Sequence, residues 1–92
     1  MIPETIQNYK KAILTPNPSY NTLALAASTV IAHPAVQQYL TQVTQAYTNN
    51  LYGKSYNQAI ANLPQEVLQE VANSYQISTE QAADLYRLHL ID

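Results

Sequence analysis

The chain has 92 residues and a formal net charge of −2, and it contains no cysteine, phenylalanine or tryptophan. The absence of cysteine excludes disulfides, thiolate metal ligands and a cysteine nucleophile. The small net charge excludes the strongly basic character with which many proteins bind nucleic acid or anionic membranes.

Prolines mark the predicted breaks between helices. Apolar residues recur at spacings of three and four and the chain has a single glycine, which together indicate helix throughout. The first helix is predicted to begin near Pro3, with Glu4 at the positive end of its dipole, and to end at Pro16 and Pro18. Its predicted buried stripe is Ile6, Tyr9 and Ile13.

The second helix is predicted to begin at Ser19 or Tyr20 and to run to about Ala32. It is apolar on nearly all sides, which is typical of a central helix, and its alanines permit close packing. His33 and Pro34 then form a junction, because a residue before proline avoids helical geometry while proline suits the first position of a helix. We expect His33 to cap the third helix.

The third helix is predicted to run from Pro34 to a stop formed by Asn49, Asn50 and Gly53. Its inner stripe is predicted to be Val36, Tyr39, Leu40, Val43 and Tyr47. Its outer face carries only amides and hydroxyls, so this helix is amphipathic without charge.

A short fourth helix is predicted from about Ser55 to Asn62. The fifth is predicted to begin at Pro64 with Glu66 in its first turn, where a carboxylate suits the helix dipole. The inner residues of these two helices are predicted to be Tyr56, Ala59, Ile60, Leu63, Val67, Leu68, Val71, Ala72 and Tyr75.

The sixth helix is predicted to begin at Ser78 or Thr79, because Ser78 and Gln81 have the spacing of a capping box. Its predicted inner face is Ala82, Leu85, Tyr86 and His89. The predicted fold is therefore all-α: one compact domain, residues 1–92, formed by a bundle of five or six short helices with proline-marked turns. No heptad run is long enough for a coiled coil.

Charged residues are unevenly distributed along the chain. From Ala12 to Gly53 there is no Asp, Glu, Lys or Arg, so almost half of the protein offers only amides, hydroxyls, tyrosine rings and His33. In the last third, Arg87 stands among acidic residues. These acidic residues are Glu66, Glu70, Glu80, Asp84 and Asp92.

Residues 71–85 resemble a helix-turn-helix motif. The positions that carry the resemblance are Ala72, Ile77, Ser78, Ala82 and Leu85. A similar spacing occurs at Ala26, Ile31, Val36 and Tyr39. There His33 and Pro34 would open the second helix of the motif, with Gln37, Gln38 and Thr41 facing outward, and glutamine can pair with adenine in the major groove. This pattern predicts the alternative function, a DNA-binding regulator that acts as a dimer.

Charge disfavours this alternative. The outward face of the C-terminal helix would bring Glu80 and Asp84 toward phosphates. Around the third helix only Lys10, Lys11 and Lys54 could neutralise phosphate, fewer than the roughly six to ten contacts of a typical specific binder. We therefore interpret residues 71–85 as two helices that meet at a short turn and complete a small core.

Catalytic residues are not predicted. His33 and His89 are the only side chains that act as bases near neutral pH without a large pKa shift, and no serine and acid are tied to either. No spacing matches a metal site or a phosphate loop, so we expect no metal, cofactor, small-molecule substrate or enzyme activity. The pairs Glu66 with Glu70 and Glu80 with Asp84 are interpreted as solvated, with an acidic docking patch as the alternative.

The remaining candidate site is an uncharged surface that we call the amide–tyrosine face. Tyrosine adds large contact area at small rotamer cost, and amides supply hydrogen bonds that depend little on salt. Its residues are Gln38, Gln42, Gln45, Asn49, Tyr52 and Tyr56. They predict a small non-catalytic regulatory or adaptor protein that binds another protein or a second copy of itself.

The apolar run from Leu23 to Ala32 is the only segment with the character of a targeting or membrane sequence. It is too short to span a bilayer at about 1.5 Å per residue, and residues 16–21 separate it from the preceding lysines. We therefore expect no membrane partner and a cytoplasmic location.

Overall fold

The computed structural model describes residues 2–91, which form six α-helices, one short 3₁₀ turn and no strand. The helices are α1 (Glu4–Ala12), α2 (Tyr20–Ile31), α3 (Pro34–Ala46), α4 (Lys54–Ala61), α5 (Gln65–Tyr75) and α6 (Thr79–Ile91), with the 3₁₀ turn at Thr48–Asn50. The predicted all-α fold of five or six helices is confirmed. Asp92 lies outside the described residues.

Prolines stand at three helix starts, as predicted. Pro3 and Pro64 are the residues that precede α1 and α5, and Pro34 is the first residue of α3. The ring fixes φ near the helical value, and the N–H group that proline lacks would have no partner at these positions. Ser19 caps α2 by accepting a hydrogen bond from the Thr22 N–H at 3.1 Å.

The predicted stop of α3 is wrong, because the helix ends at Ala46 rather than at residues 49–53. Tyr47 leaves helical geometry with φ −112° and ψ 29°, and the Thr48 hydroxyl donates to the carbonyls of Thr44 at 3.3 Å and Gln45 at 2.8 Å. Gly53 precedes α4 instead of closing α3. A threonine hydroxyl therefore ends this helix where glycine was expected.

The main core is built from α1, α2, α5, α6 and the start of α3. α2 packs on α1 and most extensively on α6, and the small buried residues Ala26, Ala27 and Ala82 allow the two helices to approach closely. The buried core residues are Ile6, Tyr9, Ala26, Ala27, Val30, Val36, Val71, Ala82, Leu85 and Tyr86. Val43 is also buried but lies outside this cluster, near the end of α3 that packs on α4.

Three expectations about burial are wrong. α2 is not surrounded by protein, since Leu25 is 48% exposed and Asn21, Ser28 and Ala32 also face solvent. Ile13 is exposed because α1 ends one residue before it, and His89 faces solvent rather than the core. Helical periodicity identifies a stripe but does not tell how far a neighbouring helix extends along it.

Side chains from other helices close the C-terminal end of α4. The last carbonyls of a helix have no partner within it. The Tyr39 hydroxyl of α3 donates to the Ala59 carbonyl at 2.8 Å, and the Tyr86 hydroxyl of α6 donates to the Ile60 carbonyl. No described residue of α4 is fully buried, and these two bonds attach its last turn to α3 and α6.

The C-terminal end of α2 is closed in the same way. The Tyr75 hydroxyl of α5 lies 3.5 Å from the Thr29 carbonyl, and the Gln37 side chain donates to the Ile31 carbonyl at 2.6 Å. The carbonyls of Ser28 and Val30 accept from the next two backbone N–H groups of the turn. All four terminal carbonyls of α2 therefore have donors.

The turn between α5 and α6 is short and is closed by hydrogen bonds at both helix ends. Gln76 adopts the left-handed conformation (φ 56°, ψ 46°), and the Ile77 N–H donates back to the Ala72 carbonyl at 3.1 Å. The Ser78 and Gln81 side chains exchange hydrogen bonds with each other's backbone N–H groups, both at 3.0 Å. The predicted capping box is confirmed.

Helix length limits what the bundle can span. The longest helices, α3 and α6, have 13 residues each. Within residues 2–91, no helix combines the length and apolar character needed to cross a membrane.

The buried Tyr86 hydroxyl predicts a loss of stability in alkali. Burial, with smaller contributions from Tyr39 and Tyr56, raises the pKa of Tyr86 from 10.0 to about 12. Because the folded chain favours the neutral phenol, this stabilisation is complete below pH 10 and is lost as the pH rises through about 12. We expect the free energy of unfolding to fall by about 2–3 kcal/mol from this residue, measured by urea unfolding between pH 9 and 12.

Tyr86→Phe should be less stable than the wild type at pH 9 but should lose much less stability above pH 10. Tyr52→Phe is the matched control, because the Tyr52 ring is 92% exposed. Its free energy of unfolding should fall above pH 10 by as much as that of the wild type. An equal alkaline loss in Tyr86→Phe and the wild type would contradict this assignment.

Candidate functional site

An open groove of about 320 Å³ lies between α3 and α5. We call it the α3–α5 groove. Its walls are Ala35, Gln38, Tyr39 and Gln42 from α3 and Pro64, Glu66, Val67 and Glu70 from α5 and the residue before it. The α3 residues have the spacing i, i+3, i+4 and i+7, so they form one side of the helix.

Hydrogen bonds from both groove helices hold the groove in place. Tyr39 contributes its ring to the groove while its hydroxyl is bonded to α4. Burial, with a smaller contribution from Tyr47, raises the pKa of Tyr39 above 10.0, so its hydroxyl remains a donor at neutral pH. At the start of α3, the His33 ring contacts the Ser74 hydroxyl of α5 at 2.9 Å.

The groove has walls of mixed apolar and polar character and a rim that carries negative charge. Ala35, Val67 and the Tyr39 ring are partly buried, whereas the Glu66 and Glu70 side chains are exposed. No lysine or arginine is among the groove residues. The groove therefore suits an apolar side chain flanked by cations, with Gln38 and Gln42 as hydrogen-bond donors and acceptors.

Three residues of the amide–tyrosine face continue beyond the groove without charge. Gln45 and Asn49 are exposed at the end of α3 and in the 3₁₀ turn. Tyr52, in the turn before α4, is 92% exposed, the highest value among the large hydrophobic side chains of the described residues. The uncharged surface thus covers the last turn of α3 and the chain that leads to α4.

Tyr56 is placed differently from the rest of the predicted face. It is half-buried, and its ring meets Tyr47 edge to face, with centroids 6.2 Å apart and an interplanar angle of 68°. Tyr47 is the half-buried residue that directly follows α3. Tyr56 therefore supports the packing of α4 on α3 and offers only part of its ring to a partner.

The two histidines have different surroundings. His33 is buried, and its Nδ1 accepts the Ala35 N–H at 3.0 Å, which confirms its expected role as a cap. The proton must then be on Nε2, which donates to Ser74 while the Ser74 hydroxyl donates to the Glu70 carbonyl at 2.8 Å. Both ring nitrogens are thus used in helix packing, whereas His89 is exposed on α6.

Some of the side chains that the DNA-binding alternative requires are charged or already bonded. On α6, Glu80 and Asp84 are exposed, and Asp84 pairs with Arg87 at 2.5 Å. On α3, the Gln37 amide is occupied by the Ile31 carbonyl. Among residues 2–91, no group of three or more histidine, aspartate or glutamate side chains is arranged to hold a metal ion.

The sequence offers Glu66 and Glu70 as an alternative acidic patch but does not place them beside the α3 amides. Their spacing identifies one side of α5, and only the packing of α5 against α3 brings that side next to Gln38 and Gln42. Comparison with known proteins finds no matching family model, no matching curated protein and no matching solved structure.

Proposed function

We propose that this chain is a small, non-catalytic regulatory or adaptor protein of the cytoplasm that binds another protein through its amide–tyrosine face. The single observation that carries the proposal is the exposed Tyr52 ring, close in the chain to the exposed amides of Gln45 and Asn49. An aromatic ring that the fold leaves in water gains free energy when a partner covers it.

The chemistry of this face fits a protein partner better than a small molecule or an ion. Tyr52 supplies contact area with two side-chain torsions to order, and Gln45 and Asn49 each offer an amide donor and an acceptor. Exposed rings of this kind are enriched among the residues that dominate binding energy at protein interfaces.

Salt should affect binding at the amide–tyrosine face and binding at the acidic rim of the groove differently. Binding at Gln45, Asn49 and Tyr52 involves no fixed charge and depends little on ionic strength, whereas contacts at Glu66 and Glu70 are screened. Because Tyr52 contributes the largest exposed area, we expect binding of the partner to persist at high salt.

The test is affinity capture from an extract of the cells that produce the chain, with quantification by mass spectrometry. We expect a partner that the wild type retains at 0.5 M salt and that Gln45→Ala/Tyr52→Ala captures at least about tenfold less, since residues central to an interface contribute more than about 1 kcal/mol each.

Gln69→Ala/Asn73→Ala is the matched control, because it also removes two exposed side chains from a helix surface but leaves the amide–tyrosine face intact. It should capture the partner as the wild type does. The choice of face is wrong if the control loses the partner equally, or if 0.5 M salt removes the partner as fully as the Gln45→Ala/Tyr52→Ala substitutions do.

A second candidate function is a dimeric DNA-binding regulator. One observation favours it, namely the helix-turn-helix connection of α5 and α6 with its left-handed Gln76 and its capping box. The exposed carboxylates of Glu80 and Asp84 on α6 oppose it, because they would repel phosphates.

Fluorescence anisotropy with a labelled random duplex at low salt separates the two functions. Non-specific DNA binders reach dissociation constants of roughly 10⁻⁴ to 10⁻⁶ M, which weaken steeply with salt. We expect no binding at tens of micromolar protein. Binding that weakens steeply with salt and is reduced in Gln38→Ala/Thr41→Ala would instead support DNA recognition by α3.

A further inference from the structure

A second depression, of about 390 Å³, lies on the outer side of α1. It is lined by Gln7, Lys10, Lys11 and Leu14, and we call these four residues the α1 basic face. Leu14 is 85% exposed, although it is a large aliphatic side chain. Within residues 2–91 the structure shows an ion pair between Arg87 and Asp84. Lys10 and Lys11 form no ion pair there, so their ammonium groups can meet carboxylates of another molecule.

The α1 basic face and the α3–α5 groove are complementary in charge. Gln7, Lys10 and Lys11 lie on one side of α1, and Leu14 lies in the turn that follows the helix. Leu14 provides an apolar side chain for Ala35, Val67 and the Tyr39 ring of the groove, and the lysines precede it by one turn. Glu66 and Glu70 stand one turn apart at the groove rim.

Within one chain these two surfaces do not meet. α1 packs on α2, whereas the groove is formed by α3 and α5, and no α1 residue lines it. We infer that this chain binds a second copy of itself, with the α1 basic face of one copy in the α3–α5 groove of the other. The inference rests on the proposed function in one respect, because the groove includes Gln38 and Gln42 of the amide–tyrosine face.

The contact is weak and sensitive to salt. A single helix face covers less area than the roughly 800 Å² per partner of a stable complex, so we expect a dissociation constant on the order of 0.1 mM. Its lysine–glutamate pairs are solvent-accessible and are screened at high ionic strength. Self-association is therefore weakened by salt, whereas the partner binding expected at Tyr52 persists at high salt.

Sedimentation equilibrium tests the inference on the full chain between about 0.02 and 1 mM, at low salt and at 0.5 M salt, a range that brackets the expected dissociation constant. The wild type should show a mean mass that rises above the 10.3 kDa of one chain as its concentration increases at low salt. At 0.5 M salt the rise should be largely lost.

Charge reversal provides the matched set of variants. Glu66→Lys/Glu70→Lys and Lys10→Glu/Lys11→Glu should each associate at least about tenfold more weakly than the wild type, because like charges then face each other. An equimolar mixture of the two should associate again, since the lysine groove of the first accepts the glutamate face of the second. Recovery in the mixture also shows that both variants are folded.

Glu80→Lys/Asp84→Lys is the control, because it makes the same charge change at the same spacing on α6, outside both surfaces. It should associate as the wild type does. The inference is overturned if the wild type stays at the mass of one chain up to about 1 mM, where a dissociation constant near 0.1 mM gives extensive association. It is also overturned if the control loses association as the groove variant does, or if the mixture does not recover.

These results are separable from the test of the proposed function. Loss of partner capture in Gln45→Ala/Tyr52→Ala together with a monomeric wild type would overturn only self-association. Self-association with the expected variant pattern, but no partner retained at 0.5 M salt, would overturn only the proposed binding of another protein.

Discussion

Every large aromatic ring in this chain carries a hydroxyl, because its eight aromatic residues are all tyrosine. A buried hydroxyl without an acceptor is costly, so each ring that enters the core must find an acceptor. The chain also has a single glycine and therefore few conventional means of closing a helix at its C-terminal end. Tyr39, Tyr75 and Tyr86 meet both constraints together, since their hydroxyls bond to carbonyls that the ends of α4 and α2 leave without partners.

These hydroxyl bonds join helices that have little apolar contact. Tyr39 and Tyr86 attach the last turn of α4 to α3 and α6, and Tyr75 attaches α5 to the end of α2. The Tyr75 ring also meets the His33 ring edge to face, with centroids 5.3 Å apart. Because His33 caps α3 and bonds to Ser74 of α5, the same set of contacts places α3 beside α5 and thereby forms the groove.

Local signals in the sequence were sufficient for much of this fold. Proline positions, helical periodicity and the capping box of Ser78 and Gln81 predicted the number of helices and most of their starts, because these features act within one turn of chain. The end of α3 was not predictable in this way. Thr48 closes it with a side-chain hydroxyl, and threonine is also common within helices and turns.

Contacts between distant helices were beyond those signals. Nothing local to Tyr39 or Tyr86 indicates that its acceptor is a carbonyl of α4, and nothing local to Glu66 indicates that it faces Gln38. The amides of the candidate site were predicted because they lie on one side of a single helix. Its acidic rim required the packing of two helices.

Hydrogen exchange of the α4 amides tests most directly whether tyrosine hydroxyls hold the bundle together. In Tyr39→Phe and Tyr86→Phe the ring remains but the carbonyl loses its donor, which costs about 1 kcal/mol or more. We therefore predict that the amides of residues 58–62 exchange at least about fivefold faster in both variants than in the wild type, while Tyr52→Phe exchanges at the wild-type rate. Equal exchange of these amides in all three variants and the wild type would contradict the account.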